Sequence, residues 1–273
     1  MIPALFDYVE AASADEAVAL LAQHGDDAKL LAGGHSLLPL MKLRLASPSV
    51  LIDISRIRDL SYVRDAGDHL AIGGATRHCE VQASALVQSV VPLLAHVAGQ
   101  VGDPQVRHRG TLGGSLAHGD PASDLPAAAL ALGASLVARG PGGERTIAAD
   151  EFFRGFLETA LAPDELLVEV RVPKHPGAAW AWQKFTRRAQ DWAIVGVAAV
   201  RNGTTRVALV NMGPAPQRAR AVEEALAGGA DAASAATRAA EGTAPPSDLN
   251  GDPAYRSHLA QVLVRRALAT IGS

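Results

Sequence analysis

Over the first part of the chain, apolar residues fall either at helical spacing or in short unbroken runs. Ser13-Ala14-Asp15-Glu16 has the form of a capping box, and Ala17, Val18, Leu20 and Leu21 follow at helical spacing. Gly25 ends that helix. Residues 28–32 and 49–54 are unbroken runs of the buried-strand kind, and the pattern between them predicts a helix over 36–45. Strand, turn, helix and strand in that order predict a small parallel unit.

From residue 60 the pattern changes. Tyr62-Val63-Arg64 and Leu70-Ala71-Ile72 flank the turn Asp65-Ala66-Gly67-Asp68 and predict a hairpin. Helical segments fill 78–100. Ser135–Ala138 and Arg145–Ile147 bracket a turn built on Gly140-Pro141-Gly142-Gly143, and Leu166 to Val172 alternates as far as Pro173. Pro173-Lys174-His175-Pro176-Gly177 has the composition of a linker. Beyond it, strands are predicted near 179–186, 193–200 and 205–211, with Arg201-Asn202-Gly203 turning the second into the third. Alanine-rich helices at about 219–227, 231–240 and 252–270 follow, with a loop from Gly242 to Asn250. Three lobes result, at about 1–56, 57–176 and 177–273, the first two forming one ligand domain.

Composition narrows the chemistry. The 273 residues carry a net charge of −3, which gives no support for binding nucleic acid. Cys79 is the sole cysteine, so the chain makes no internal disulfide and cannot by itself hold an iron–sulfur cluster, which takes about four thiolates. No basic leader and no transmembrane run is visible, and a cytoplasmic location is expected. Gly-x-Gly-x-x-Gly, Gly-Lys-Ser/Thr, His-Glu-x-x-His and Gly-x-Ser-x-Gly are all absent, which removes the main signals for Rossmann, P-loop, zinc-peptidase and serine-hydrolase sites.

Two glycine pairs remain: Leu31-Ala32-Gly33-Gly34-His35-Ser36 and Thr111-Leu112-Gly113-Gly114-Ser115. Adjacent glycines let backbone N–H groups approach a ligand with no Cβ in the way, and such nests suit phosphate oxygens. Two of them can grip the two phosphates of one dinucleotide.

Together with Gly74-Ala75-Thr76-Arg77-His78, Arg107-His108-Arg109-Gly110, Asp120-Pro121-Ala122-Ser123-Asp124 and Lys184-Phe185-Thr186-Arg187-Arg188, these pairs make the sequence resemble the FAD-binding subunits of molybdenum-containing hydroxylases, of the carbon monoxide and xanthine dehydrogenase type. The resemblance implies an α+β fold. It consists of a p-cresol methylhydroxylase-type FAD-binding domain of two α/β subdomains, followed by a C-terminal three-stranded antiparallel sheet with helices.

By the same resemblance FAD is held non-covalently. His35 follows Ala32-Gly33-Gly34 where some wider relatives attach flavin covalently, and the alternatives are a phosphate contact or plain solvation. Asp124 is implied to contact the ribose or adenine end; as a structural residue it would cap the helix from about 125 to 132. Lys184 is implied to sit near the flavin, against the alternative of a solvated surface charge. Trp192 either stacks on the ring system or belongs to the core. Val101 and Leu167 match apolar positions lining the flavin site and would look the same as core residues. Arg107, His108 and Arg109 face either a partner or the cofactor.

The implied role is electron transfer, from an iron–sulfur small subunit fed by a molybdenum-cofactor large subunit to an external acceptor such as NAD, a quinone or oxygen. The implied assembly is a dimer of heterotrimers. A self-contained flavin oxidase or dehydrogenase is the first alternative, and a non-enzymatic nucleotide-binding protein the second.

Overall fold

The computed structural model describes residues 2–272. In the first lobe, β1 (Asp7–Glu10), α1 (Ala14–His24), β2 (Ala28–Leu31), α2 (Leu37–Lys42) and β3 (Val50–Asp53) form a parallel sheet of order β1-β3-β2. Ser13 caps α1 by accepting from the Glu16 amide, and Glu16 reaches back to the Ala12 amide. Strand β1 is absent from the sequence reading, because its residues are mostly exposed and carry no apolar run. Helix α2 is shorter than the predicted 36–45: Arg44 has a positive φ of 58°, which a helix cannot contain.

The second lobe begins with the hairpin β4 (Val63–Asp65) and β5 (His69–Gly73). The predicted helical stretch divides into α3 (His78–Ala83), α4 (Ala85–Val90) and α5 (Pro92–Gly99). Three short helices follow: α6 (Pro104–Arg107), α7 (Leu112–His118) and α8 (Asp124–Leu132). After β6 (Ser135–Gly140), β7 (Gly143–Ala148) and α9 (Ala149–Phe152) comes a small hairpin, β8 (Phe153–Gly155) and β9 (Glu158–Thr159), and then β10 (Leu166–Pro173). The main sheet is antiparallel, of order β4-β5-β10-β6-β7.

The last lobe is an antiparallel sheet of β11 (Ala179–Phe185), β12 (Val195–Asn202), β13 (Thr204–Val210) and β14 (Gln217–Arg218), with α10 (Arg220–Ala227), α11 (Ala232–Ala236) and α12 (Pro253–Ile271). It has a two-residue fourth strand beyond the three expected, and α11 covers only part of the predicted 231–240.

Period-two alternation explains how this lobe is held. On β12 and β13, Val197, Ala199, Val207 and Leu209 face the core beneath α12, while Ala198, Val200, Ala208 and Val210 face the core around α8. Both faces of the sheet are covered, which is why these strands read as unbroken apolar runs. Every residue of α8 is buried, so this helix is the shared core between the second and third lobes.

A candidate dinucleotide cleft

A cleft of about 710 Å³ runs along the junction of the lobes. That is within the roughly 300–1,000 Å³ typical of ligand sites. Leu31, Ala32, Gly33, Gly34, His35, Ser36, Val101, Thr111, Gly113, Gly114, Ser115, Asp124, Leu167, Lys184 and Trp192 all line it. Strand β2 delivers the first glycine turn, α7 the second pair, α8 carries Asp124, β10 Leu167 and β11 Lys184.

The two glycine pairs differ in what they offer. The amides of Gly33, Gly34, His35 and Ser36 donate to no other group among the described residues, and Gly34 needs its positive φ of 77°. This turn is an open nest of donors. The second pair is not a turn: Gly113 and Gly114 lie in the first turn of α7, without positive φ. Its amides are taken. Leu112 donates to Thr76 O, Gly113 to Gly74 O, Gly114 to Thr111 Oγ1 and Ser115 to Thr111 O. The reading of two equivalent nests is therefore corrected. The second element presents bare glycine backbone at the exposed Gly114, together with the hydroxyls of Ser115 and Thr111.

One glycine of each pair also serves packing. A Cβ on Gly33 would stand 2.3 Å from Arg109 O, and one on Gly113 would stand 2.5 Å from Gly74 O. Only a residue without a side chain lets these backbones approach so closely.

Period two also fixes Lys184. Trp180 and Trp182 pack toward the α8 core, so Lys184, two residues on, points the same way. Its Nζ lies 2.7 Å from Asp124 Oδ2 and donates to Gln100 O at 3.1 Å. The two side chains are 9% and 6% exposed, so Lys184 is not a solvated surface charge. Asp124 Oδ1, by contrast, is buried without a partner. Burial outweighs the ammonium and raises the Asp124 carboxyl to about 6. Asp124 does not cap α8 either: Ser123 holds that position and Asp124 is the first helical residue. The ion pair places Asp124 and Lys184 side by side on one stretch of the cleft wall.

Trp192 is 57% exposed at the rim, which removes the core alternative. Leu167 is buried while also lining the cleft, so its core and ligand readings coexist. Val101 is half-buried and held from behind by Arg107, which donates to the carbonyls of Val101 and Gly102. His35, His108 and Arg109 are exposed.

Sequence reasoning missed several wall residues, among them Lys29, His78, His118, Ser123, Leu157 and Leu161. Leu157 sits at the tip of the β8–β9 hairpin with φ of 57°, strained for a branched side chain. No local signal marks that hairpin, whereas His78 and Ser123 lay within motifs already singled out.

The cleft thus gathers an open nest of backbone amides, the Ser115 hydroxyl and a buried carboxylate–ammonium pair, a donor and acceptor set of the kind a dinucleotide uses. The family profile described as the FAD binding domain in molybdopterin dehydrogenase matches residues 4–175, and that of the CO dehydrogenase flavoprotein C-terminal domain matches 180–271. The chain is 46% identical to the carbon monoxide dehydrogenase medium chain of Hydrogenophaga pseudoflava, over 98% of this chain and 97% of that one. It is 38% identical to the 6-hydroxypseudooxynicotine dehydrogenase complex subunit alpha of Paenarthrobacter nicotinovorans, over 98% and 95%. A solved carbon monoxide dehydrogenase from Hydrogenophaga pseudoflava, which lacks the Mo-pyranopterin moiety of its cofactor, superposes with a TM-score of 0.96 at 47% identity, covering 100% of this chain and 99% of that one. The chain belongs to the family of FAD-binding subunits of molybdenum hydroxylases, and its cofactor is FAD.

The residues present fit that group. The amides of Gly33 to Ser36 are free to donate to phosphate oxygens, and Asp124 Oδ1 is an acceptor with no partner among the described residues.

Proposed function

We propose that the chain carries electrons from an iron–sulfur subunit to an external acceptor, in a complex whose molybdenum subunit oxidises the organic substrate. FAD, when bound, supplies the ability to take electrons singly and release them in pairs. Everything else asked of this chain is binding, orientation and tuning. The amides of Gly33 to Ser36 hold the diphosphate. Ser115 and Thr111 add hydroxyl donors from the facing element. Asp124 accepts from a sugar hydroxyl, and Lys184 keeps that carboxylate in place while contributing a fixed positive charge to a water-poor wall. Leu167 and Val101 exclude water beside them, and Trp192 covers the cleft at its rim.

The observation that carries this reading is the gathering of both glycine elements and the buried Asp124–Lys184 pair in one cleft. Among the described residues no group of three or more His, Cys, Asp or Glu side chains could hold a metal ion. We assign the metal-centred oxidation to the molybdenum subunit, and the iron–sulfur cluster that relays its electrons docks within a few side-chain thicknesses of the cleft. A dimer of heterotrimers with iron–sulfur and molybdenum subunits is the assembly we propose, in the cytoplasm, with the flavin held non-covalently. Among the described residues no helix is long and apolar enough to cross a membrane.

The test mixes the purified chain anaerobically with carbon monoxide, aldehydes and purines while flavin absorbance is followed. No bleaching is expected until a reduced iron–sulfur partner is added. Bleaching by a substrate without any partner subunit overturns this reading in favour of a self-contained flavoenzyme.

A further inference from the structure

His78 opens α3, where its amide donates to Gly110 O at 2.9 Å. The residue is 4% exposed, it lines the cleft, and its Nδ1 is buried with no hydrogen-bond partner. The Cδ2–Nε2 edge lies against Gly110, where a Cβ would stand 2.8 Å from both ring atoms. Gly110 in turn occupies the space a Cβ on Gly33 would need, its Cα being 2.7 Å away. Gly110 thus adjoins both Gly33 and the Cδ2–Nε2 edge of His78, which sets the ring beside the open amide nest in the wall of the same cleft.

Burial, with smaller repulsion from His35 and Arg107, lowers the His78 pKa to about 4, so the ring is neutral at pH 7. A neutral imidazole has one N–H and one bare nitrogen. A sealed N–H without an acceptor is among the rarest arrangements in folded proteins, whereas a bare acceptor is tolerated more often. The proton therefore belongs on Nε2, on the edge beside Gly110.

We propose that His78 is a cofactor-binding residue, donating from Nε2 to a phosphate oxygen of the dinucleotide seated on Gly33 to Ser36. The proposal rests on the FAD reading of the cleft. It explains why a buried imidazole with no structural hydrogen bond stands beside the nest. It also explains why Gly110 is a glycine: a side chain there would strike the ring edge that must reach the ligand.

The experiment measures the FAD dissociation constant of the apo full-length chain by flavin fluorescence, alongside its thermal midpoint. The variants are His78→Phe, His78→Gln and His78→Asn. Gln places an N–H donor near the position of Nε2, and Asn places one near Nδ1. His78→Phe should weaken FAD roughly ten- to hundredfold, the range for one hydrogen bond to a charged group, without lowering the apo thermal midpoint. His78→Gln should recover most of that affinity and His78→Asn should not. Wild-type affinity in all three variants overturns the proposal, as does equal rescue by Gln and Asn. If His78→Phe does not fold, the Gln–Asn comparison decides alone. Failure of the wild-type chain itself to bind FAD would instead overturn the functional reading on which the proposal rests.

Discussion

Gly33 and Gly114 belong to similar motifs, yet their environments predict opposite outcomes on substitution. A side chain at Gly33 meets backbone at Arg109 and Gly110, which cannot yield, so Gly33→Val should not give a folded chain. At Gly114 a Cβ meets the Thr111 hydroxyl at 2.7 Å and touches Ala32 Cβ at an ordinary 3.9 Å, so Gly114→Val should fold at the cost of one helix cap, about 1 kcal/mol, and lose its flavin. Circular dichroism and flavin stoichiometry of the two variants check this; normal flavin content in folded Gly114→Val would contradict it. Protonation gives a second test. Between pH 4 and 6.5 the unfolded chain binds a proton at His78 that the folded chain does not, so this residue makes stability rise with pH. Asp124 does the reverse: its folded carboxyl keeps a proton up to about pH 6, so its contribution falls as pH rises over nearly the same window. The two slopes oppose each other, each on the order of 3 kcal/mol. Urea unfolding at pH 4–6.5 should therefore show stability rising more steeply with pH than in the wild type in Asp124→Asn, and less steeply in His78→Phe; slopes equal to the wild type's would contradict the assignment. The glycine motifs were legible in the sequence because their chemistry is local. The Asp124–Lys184 pair was not, because it joins residues sixty apart that only the packing of α8 against the C-terminal sheet brings together.

At the scale of elements, the segment bearing Trp192 is anchored by a helix far along the chain. Arg256 on α12 is fully buried and donates to Ile194 O, Gly251 O and Asp248. Arg256→Met removes the donor and leaves the Ile194 carbonyl buried without it. The expected loss is about 3 kcal/mol of stability, with a shift in tryptophan emission as the rim segment loosens. Unchanged emission and stability would show that α12 does not position this rim. Most strands were legible because runs such as Val195–Val200 are buried on both faces. Strand β1 was not, since an exposed edge strand carries little hydrophobic signal. Alanine spacing overextended α11 past Ala236, because the chain continues there as turns that still bury Ala239, and burial at that spacing does not fix where a helix stops.

Across the whole molecule, the cleft exists because three sheets are joined by shared cores. Strand β10 sends Leu166 and Val168 into the first lobe's core, and Leu167 and Val170 into the core around α8. The α8 core then continues into β12 and β13. A ligand lying along these seams touches every lobe, so its length matters as much as its head group. Changes in pattern along the chain track the change from one sheet to the next, whereas the seams between the sheets depend on long-range packing that no local window contains. The most direct test of a cleft built for a dinucleotide is to compare FAD with FMN on the apo chain by equilibrium dialysis, then precipitate the FAD complex with acid. One FAD per chain, FMN bound at least a hundredfold more weakly (about 2.7 kcal/mol), and all flavin in the acid supernatant are expected. Equal affinity for FMN, or a yellow pellet, would contradict a non-covalent dinucleotide spanning both glycine elements.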